Sequence, residues 1–86
     1  TSWGVETTKT FTKKELENIL SSFDNKDNTG IILRAKGIVK GENDWLYFDY
    51  IPSEIDIRNG NAAPIGRICV IGSDINTENL NKIFGV

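Results

Sequence analysis

The residues best suited to binding chemistry are two cations and two aromatic side chains, and the members of each pair are two positions apart. Arg34 and Lys36 lie in one apolar segment, and Trp45 and Tyr47 lie in the next. Because successive side chains of a β-strand point to opposite faces, each pair would share one face of a sheet. If the two strands were neighbours, they would form a basic and aromatic patch, a composition typical of binding hot spots.

Each of these features also has an explanation that needs no partner. Charged pairs on an exposed sheet face usually serve solvation, and core packing is the favoured role for Trp45. Cys69 lies in an apolar run, where a thiol behaves as a small hydrophobic side chain. Several carboxylates lack the spacing of a calcium-binding loop, so a solvated acidic rim is the favoured interpretation for them. These carboxylates are Asp24, Asp27, Glu42, Asp44 and Asp49.

Residue types that support catalysis are scarce. The sequence contains no His, one Cys and no G-x-x-x-x-G-K-S/T phosphate loop. His is the commonest general base and metal ligand, so we expect no catalytic, metal or cofactor site within these 86 residues. The net charge of -2 does not favour nucleic acid or acidic membranes. A single Cys and the lack of a long apolar stretch predict a cytoplasmic domain.

Two helices are predicted around this surface, in a chain long enough for one domain with one core. The first begins after Thr12, which forms a capping box with Glu15. Four apolar residues then recur at the spacing of one helical face. They are Leu16, Ile19, Leu20 and Phe23. The second helix is capped by Asn76 and has a shorter apolar stripe. That stripe consists of Leu80, Ile83 and Phe84.

The strands are predicted from alternation and from turn residues. Residues 24–30 form a polar turn, and residues 54–58 an edge strand. In the segment 31–39, alternation places Leu33 on the same side as Ala35, facing a helix. The apolar run 66–72 predicts a strand buried on both faces in the middle of the sheet. The full set of predicted strands is 3–8, 31–39, 45–51, 54–58 and 66–72.

These elements predict an α+β fold over residues 1–86. We expect a mixed or mainly antiparallel sheet of four to five strands with two helices packed on it. The order along the chain is β-α-β-β-(β)-β-α, in which the bracketed strand is the short edge strand.

Three segments resemble the C-terminal domain of the CobW family of P-loop GTPases. They are the opening strand with Phe11, the run 33–38 with the Trp-containing strand after it, and the run 67–72 before the last helix. The positions that match the family pattern are Arg34, Lys36, Gly37, Arg67 and Gly72. The resemblance adds Arg67 to the candidate interaction residues.

The resemblance implies that the chain is a segment of a longer GTPase and acts as its partner-recognition or regulatory module. The implied partners are its own N-terminal GTPase domain and a client metalloprotein. GTP with Mg, and zinc or cobalt, would be bound only by that GTPase domain, so no cofactor is implied in this chain. A nucleic-acid-binding sheet that uses Arg34, Lys36, Trp45 and Tyr47 is the alternative. An enzyme whose site is shared with another domain is a third hypothesis.

Overall fold

The computed structural model describes all residues from Thr1 to Val86 and contains one five-stranded sheet. The strands are β1 (Ser2–Thr7), β2 (Ile31–Lys40), β3 (Trp45–Ile51), β4 (Glu54–Gly60) and β5 (Gly66–Ser73). The helices are α1 (Lys13–Ser22), α2 (Lys26–Thr29) and α3 (Thr77–Phe84). Every neighbouring pair is antiparallel, and the order across the sheet is β1-β5-β2-β3-β4. The predicted α+β class is therefore confirmed, although α2 lies where only a turn was predicted.

Helix α1 begins where its capping residues place it. The Thr12 hydroxyl accepts a hydrogen bond from the Glu15 N–H at 3.0 Å, and the Glu15 carboxylate accepts one from the Thr12 N–H at 3.3 Å. Two backbone donors at the helix start are thus satisfied, as the capping box predicts. Helix α3 is capped by a single bond, in which the Asn76 side chain accepts from the Asn79 N–H at 3.1 Å.

The helices cover one face of the sheet, and the sixteen-residue hydrophobic core lies between the two layers. Phe84 of α3 is fully buried at its centre. The Phe84 ring stacks on Trp3 at 5.6 Å between centroids and contacts Phe11 and Phe23 edge-on. This aromatic group joins β1, the segment before α1, the C-terminal end of α1 and helix α3, so the face beneath these elements is not available as a binding surface.

The alternation predicted for β2 fails near its start because the strand contains a β-bulge. Pairing with β5 shifts between Ile32 and Arg34, so Leu33 is an extra residue without its own partner. Ile32 and Ala35 are both buried, while Leu33 is 54% exposed. The prediction that Leu33 faces a helix beside Ala35 is therefore wrong, since the bulge sends Leu33 and Arg34 to the same side of the sheet.

Strand β5 lies inside the sheet as predicted, but only one of its faces is buried. Ile68 and Val70 are fully buried, whereas Arg67 and Ile71 are exposed and Cys69 is half-buried. The prediction of burial on both faces is wrong because no element of the chain packs on the second face. The apolar side chains on the second face of β5 are therefore partly exposed to solvent.

A buried tyrosine ties the end of α1 to the turn between β3 and β4. The Tyr50 hydroxyl donates to the Asp24 carboxylate at 2.7 Å, and the same carboxylate oxygen accepts from the Ser53 N–H at 3.1 Å. Burial raises the pKa of the Tyr50 hydroxyl above its ordinary value, and the hydrogen bond to Asp24 raises it further. Ser53 has a positive φ of 65°, so this turn depends on a conformation that costs energy for a non-glycine residue.

Candidate interaction surface

The surface of the sheet opposite the helices, which we call the outer face, consists of alternate residues from all five strands. The strand register places these side chains in rows that cross the sheet. One row is Glu6, Arg67, Ile38, Tyr47 and Arg58. The next row is Gly4, Cys69, Lys36, Asp49 and Asp56.

The β3–β4 half of the outer face is held by ion pairs. The Arg58 guanidinium donates to Asp49 at 3.1 Å and also to Asp56. The hydrogen bond to Asp49 raises the pKa of Arg58 above its ordinary value, and the hydrogen bond to Asp56 raises it further. Arg34 approaches the same Asp49 carboxylate at 3.7 Å. The charge of Arg58 is thus largely neutralised by Asp49 and Asp56, so it contributes little to the recognition of a ligand.

The aromatic residues of this face are not equally available. The Tyr47 hydroxyl donates to the Asn61 carbonyl at 3.0 Å, and its ring lies over Gly60, with the Arg58 guanidinium 5.9 Å from the ring centroid. Tyr47 therefore lies flat against β4. Trp45 is half-buried at the start of β3, on the outer side of the strand. The favoured core role for Trp45 is wrong, because Leu46 and Phe48 occupy the inner positions of β3.

Lys36 lies near the centre of the outer face and forms no ion pair. Its cross-strand neighbours are Cys69 on one side and Asp49 on the other, and Asp49 is engaged by Arg34 and Arg58. A shallow groove of about 340 Å³ passes beside it. The groove is lined by residues that include Arg34, Lys36, Tyr47, Asp49, Arg67 and Cys69.

Strands β2 and β3 are antiparallel neighbours as predicted, and all five candidate interaction residues lie on the outer face. These residues are Arg34, Lys36, Trp45, Tyr47 and Arg67. The two pairs do not meet directly, however. Tyr47 lies opposite Ile38 and Trp45 opposite Lys40, so the aromatic pair is displaced along the strands from Arg34 and Lys36. Arg67 lies opposite Ile38 and forms an ion pair with Glu6 at 2.8 Å.

Sequence reasoning missed two features of this surface. The first is the role of Asp49, which was predicted to belong to a solvated acidic rim but lies near the centre of the outer face, where Arg34 and Arg58 reach its carboxylate. The exposed apolar residues Leu33 and Ile71 lie on the same face as the cations. Leu33 could not be found from alternation because the bulge reverses its direction.

No group of three or more His, Cys, Asp or Glu side chains in the chain is arranged to hold a metal ion. None of the three helices has the length and apolar character needed to cross a lipid bilayer. The arrangement on the outer face suits noncovalent binding of a surface that matches its cations and apolar side chains.

Two solved structures share this fold. The crystal structure of the Zn(II)-bound YjiA GTPase from E. coli matches 99% of the chain with a TM-score of 0.79 at 16% sequence identity. A Zn(II)-bound triple mutant of YjiA matches the same share with a TM-score of 0.75 at 18% identity. The chain spans only 28% of the length of either GTPase chain. No curated protein sequence matches the chain significantly.

The family described as "Cobalamin synthesis protein cobW C-terminal domain" matches residues 1–85. This match covers nearly the whole chain and agrees with the shared fold of the YjiA structures. The resemblance noted in three segments of the sequence is therefore confirmed over all of the elements. The chain belongs to the family of CobW C-terminal domains.

Proposed function

We propose that this chain is the noncatalytic partner-recognition or regulatory module of a CobW-like GTPase involved in metal-ion handling or cofactor assembly. Its partners are the GTPase domain that precedes it and a client metalloprotein. Nucleotide and metal are bound by the GTPase domain, and this module provides a surface that binds the partners. YjiA, which shares this fold, is a GTPase that binds Zn(II) in its crystal structure, and this supports a link to metal-ion handling.

One observation carries the proposal: a face of the sheet that is rich in binding residue types has nothing packed on it. The helices bury most of the other face, so the outer face is the largest part of the sheet that a partner could cover. The apolar pattern of β5, with Ile71 46% exposed, is typical of a strand whose second face is covered in an assembly. Lys36 and Trp45 supply an unpaired charge and an aromatic anchor on the same face.

A pull-down with a CobW-like GTPase that carries this domain tests the proposal. The protein with Lys36→Glu and Trp45→Ala should retain less client than the unaltered protein, and deletion of the domain should abolish retention. The matched control is Lys14→Glu, which makes the same charge change at an exposed position of α1. Equal retention by the unaltered protein, the double variant and the deletion would refute the recognition role.

The regulatory part of the proposal has a separate measurement. The rate of GTP hydrolysis by the same protein is measured with and without residues 1–86. A changed rate supports a regulatory role, whereas hydrolysis by the isolated chain would contradict its noncatalytic character and support a shared or complete active site.

A nucleic-acid-binding sheet is the second candidate, because Arg34, Lys36 and Trp45 share the outer face. Cations and aromatic side chains on a sheet bind single strands by backbone contacts and base stacking. Tyr47 is already held by Asn61, and Arg67 by Glu6, so fewer groups are free than the sequence suggests. Titration with single-stranded RNA at low salt decides this alternative, and absence of binding there excludes it.

A further inference from the structure

The exposed apolar side chains of the outer face lie together at one end of the sheet. Four of the six large hydrophobic residues exposed in the chain belong to this group. They are Ile31 and Leu33 of β2, Ile51 of β3 and Ile71 of β5, and they are 46–54% exposed. Ile31 lies opposite Ser73 and Arg34 opposite Ile71, so the group surrounds the Arg34 side chain. We call these four residues the apolar end.

The bulge in β2 creates this end of the surface. Without it, regular alternation would turn Leu33 toward the helices and remove an apolar side chain from the outer face. With it, Leu33 and Arg34 both project outward opposite Ile71. A bulge that redirects an apolar side chain into solvent has a use when another surface covers that side chain.

The unpaired positive charge of the outer face lies on its central strands, because Arg58 on β4 is held by Asp49 and Asp56. Strands β2 and β5 carry only cations, which are Arg34, Lys36, Lys40 and Arg67. Lys36 and Lys40 form no ion pair, and Arg34 has only the 3.7 Å contact with Asp49. The carboxylates Asp49, Glu54 and Asp56 lie on β3 and β4. A partner that covers β2 and β5 must therefore supply negative charge to match the unpaired cations.

The covering element is best matched by an α-helix. A helix is about 10–12 Å across, and adjacent strands are about 4.8 Å apart, so one helix covers two or three strands. The mixture of exposed charges with a small apolar group is typical of a reversible interface, which favours a separate protein as the source of the helix.

We propose that the outer face of β2 and β5 binds an amphipathic helix of the client protein that has an apolar centre and carboxylates along one margin. The apolar centre contacts Leu33 and Ile71, and the carboxylates pair with Lys36 and Arg34. This inference rests on the proposed recognition function and adds the chemistry of the partner to it.

The test uses three designed helical peptides of about 18 residues, a length at which isolated helices become measurable. They share one leucine stripe and differ only at its margin, which carries Glu, Gln or Lys. Each peptide is titrated into the isotope-labelled 86-residue chain, and amide chemical shifts report the binding site and affinity. The dispersion of the amide spectrum in each sample shows that the chain is folded.

The Glu peptide should bind most tightly and shift the amide signals of Leu33, Lys36 and Ile71. Its affinity should fall as salt is added, because exposed charge pairs are screened. Lys36→Glu should weaken binding roughly five- to tenfold, since it replaces an attraction by a repulsion. Lys14→Glu should leave the affinity unchanged.

Two results would overturn this inference. The first is equal or tighter binding of the Gln or Lys peptide at the outer face, which would refute the acidic chemistry and leave recognition by this face intact. The second is the absence of outer-face shifts with the Glu peptide at low salt. The client pull-down judges the recognition function independently, so the two failures can be told apart.

Discussion

The hydrogen bond between Tyr50 and Asp24 allows a quantitative test of the packing described above. Tyr50→Phe removes the hydroxyl that donates at 2.7 Å and leaves the ring in its contact with Phe23. A hydrogen bond to a charged group contributes about 1.5–3 kcal/mol. Asp24 is exposed and regains water when its partner is lost. We therefore expect a loss at neutral pH of about 1–2 kcal/mol in the free energy of unfolding, near the lower part of that range.

The pH dependence of this loss follows from the raised pKa of Tyr50. A group whose pKa is higher in the folded state stabilises the fold fully below its unfolded pKa, which is about 10 for tyrosine. That stability is lost as the pH rises from the unfolded pKa toward the higher folded pKa. The loss is at most about 1.4 kcal/mol per pH unit. The unaltered chain should therefore lose its advantage over Tyr50→Phe by about pH 11.

Urea denaturation followed by Trp fluorescence measures this difference between about pH 7 and pH 11. Tyr47→Phe is the matched control at neutral pH, because its hydroxyl bonds the Asn61 carbonyl at an exposed position. We expect it to cost less than about 0.5 kcal/mol. A stability difference between the unaltered chain and Tyr50→Phe that stays constant up to about pH 11 would refute the explanation given for Tyr50.

Three further substitutions test the local structure by the same urea assay. Gly37→Ala should destabilise the fold by about 1–3 kcal/mol, because its Cβ would lie 2.6 Å from the Phe48 ring; an unchanged midpoint would show that this packing is loose. Thr12→Ala should cost about 0.5–2 kcal/mol, since the hydroxyl that accepts from the Glu15 N–H is lost, and Thr12→Ser should restore most of it. Ser53→Gly should raise stability by up to about 1 kcal/mol by relieving the positive φ, and a decrease would indicate that chain entropy dominates there.

The candidate surface was only partly predictable from the sequence. A spacing of two places Arg34 with Lys36 and Trp45 with Tyr47, whatever the sheet order, because side-chain direction alternates along a strand. Whether the pairs shared one face depended on the register between β2 and β3, which is a tertiary property. The role of Asp49 followed from that register, since its carboxylate is reached by Arg34 from one strand and Arg58 from the other.

The failed predictions for β5 and Leu33 both concern contacts that a local sequence pattern does not contain. The apolar run of β5 was interpreted as burial on two faces, but sequence composition does not state which element supplies the cover. In this chain the helices cover one face, so Ile71 and Cys69 remain accessible. The misplacement of Leu33 has a related origin. One extra residue in a strand leaves no mark in the local sequence pattern, but it reverses the face to which the side chains on one side of it point.

The sequence by itself determined the starts of α1 and α3, the strand segments, the family resemblance and the scarcity of catalytic residues. These depend on local rules of capping, periodicity and residue type, which act over a few neighbouring positions. Only the tertiary structure decided the order β1-β5-β2-β3-β4, the bulge at Leu33 and the single open face. These depend on contacts between residues far apart in the chain, whose pairing is selected by the packing of the whole core.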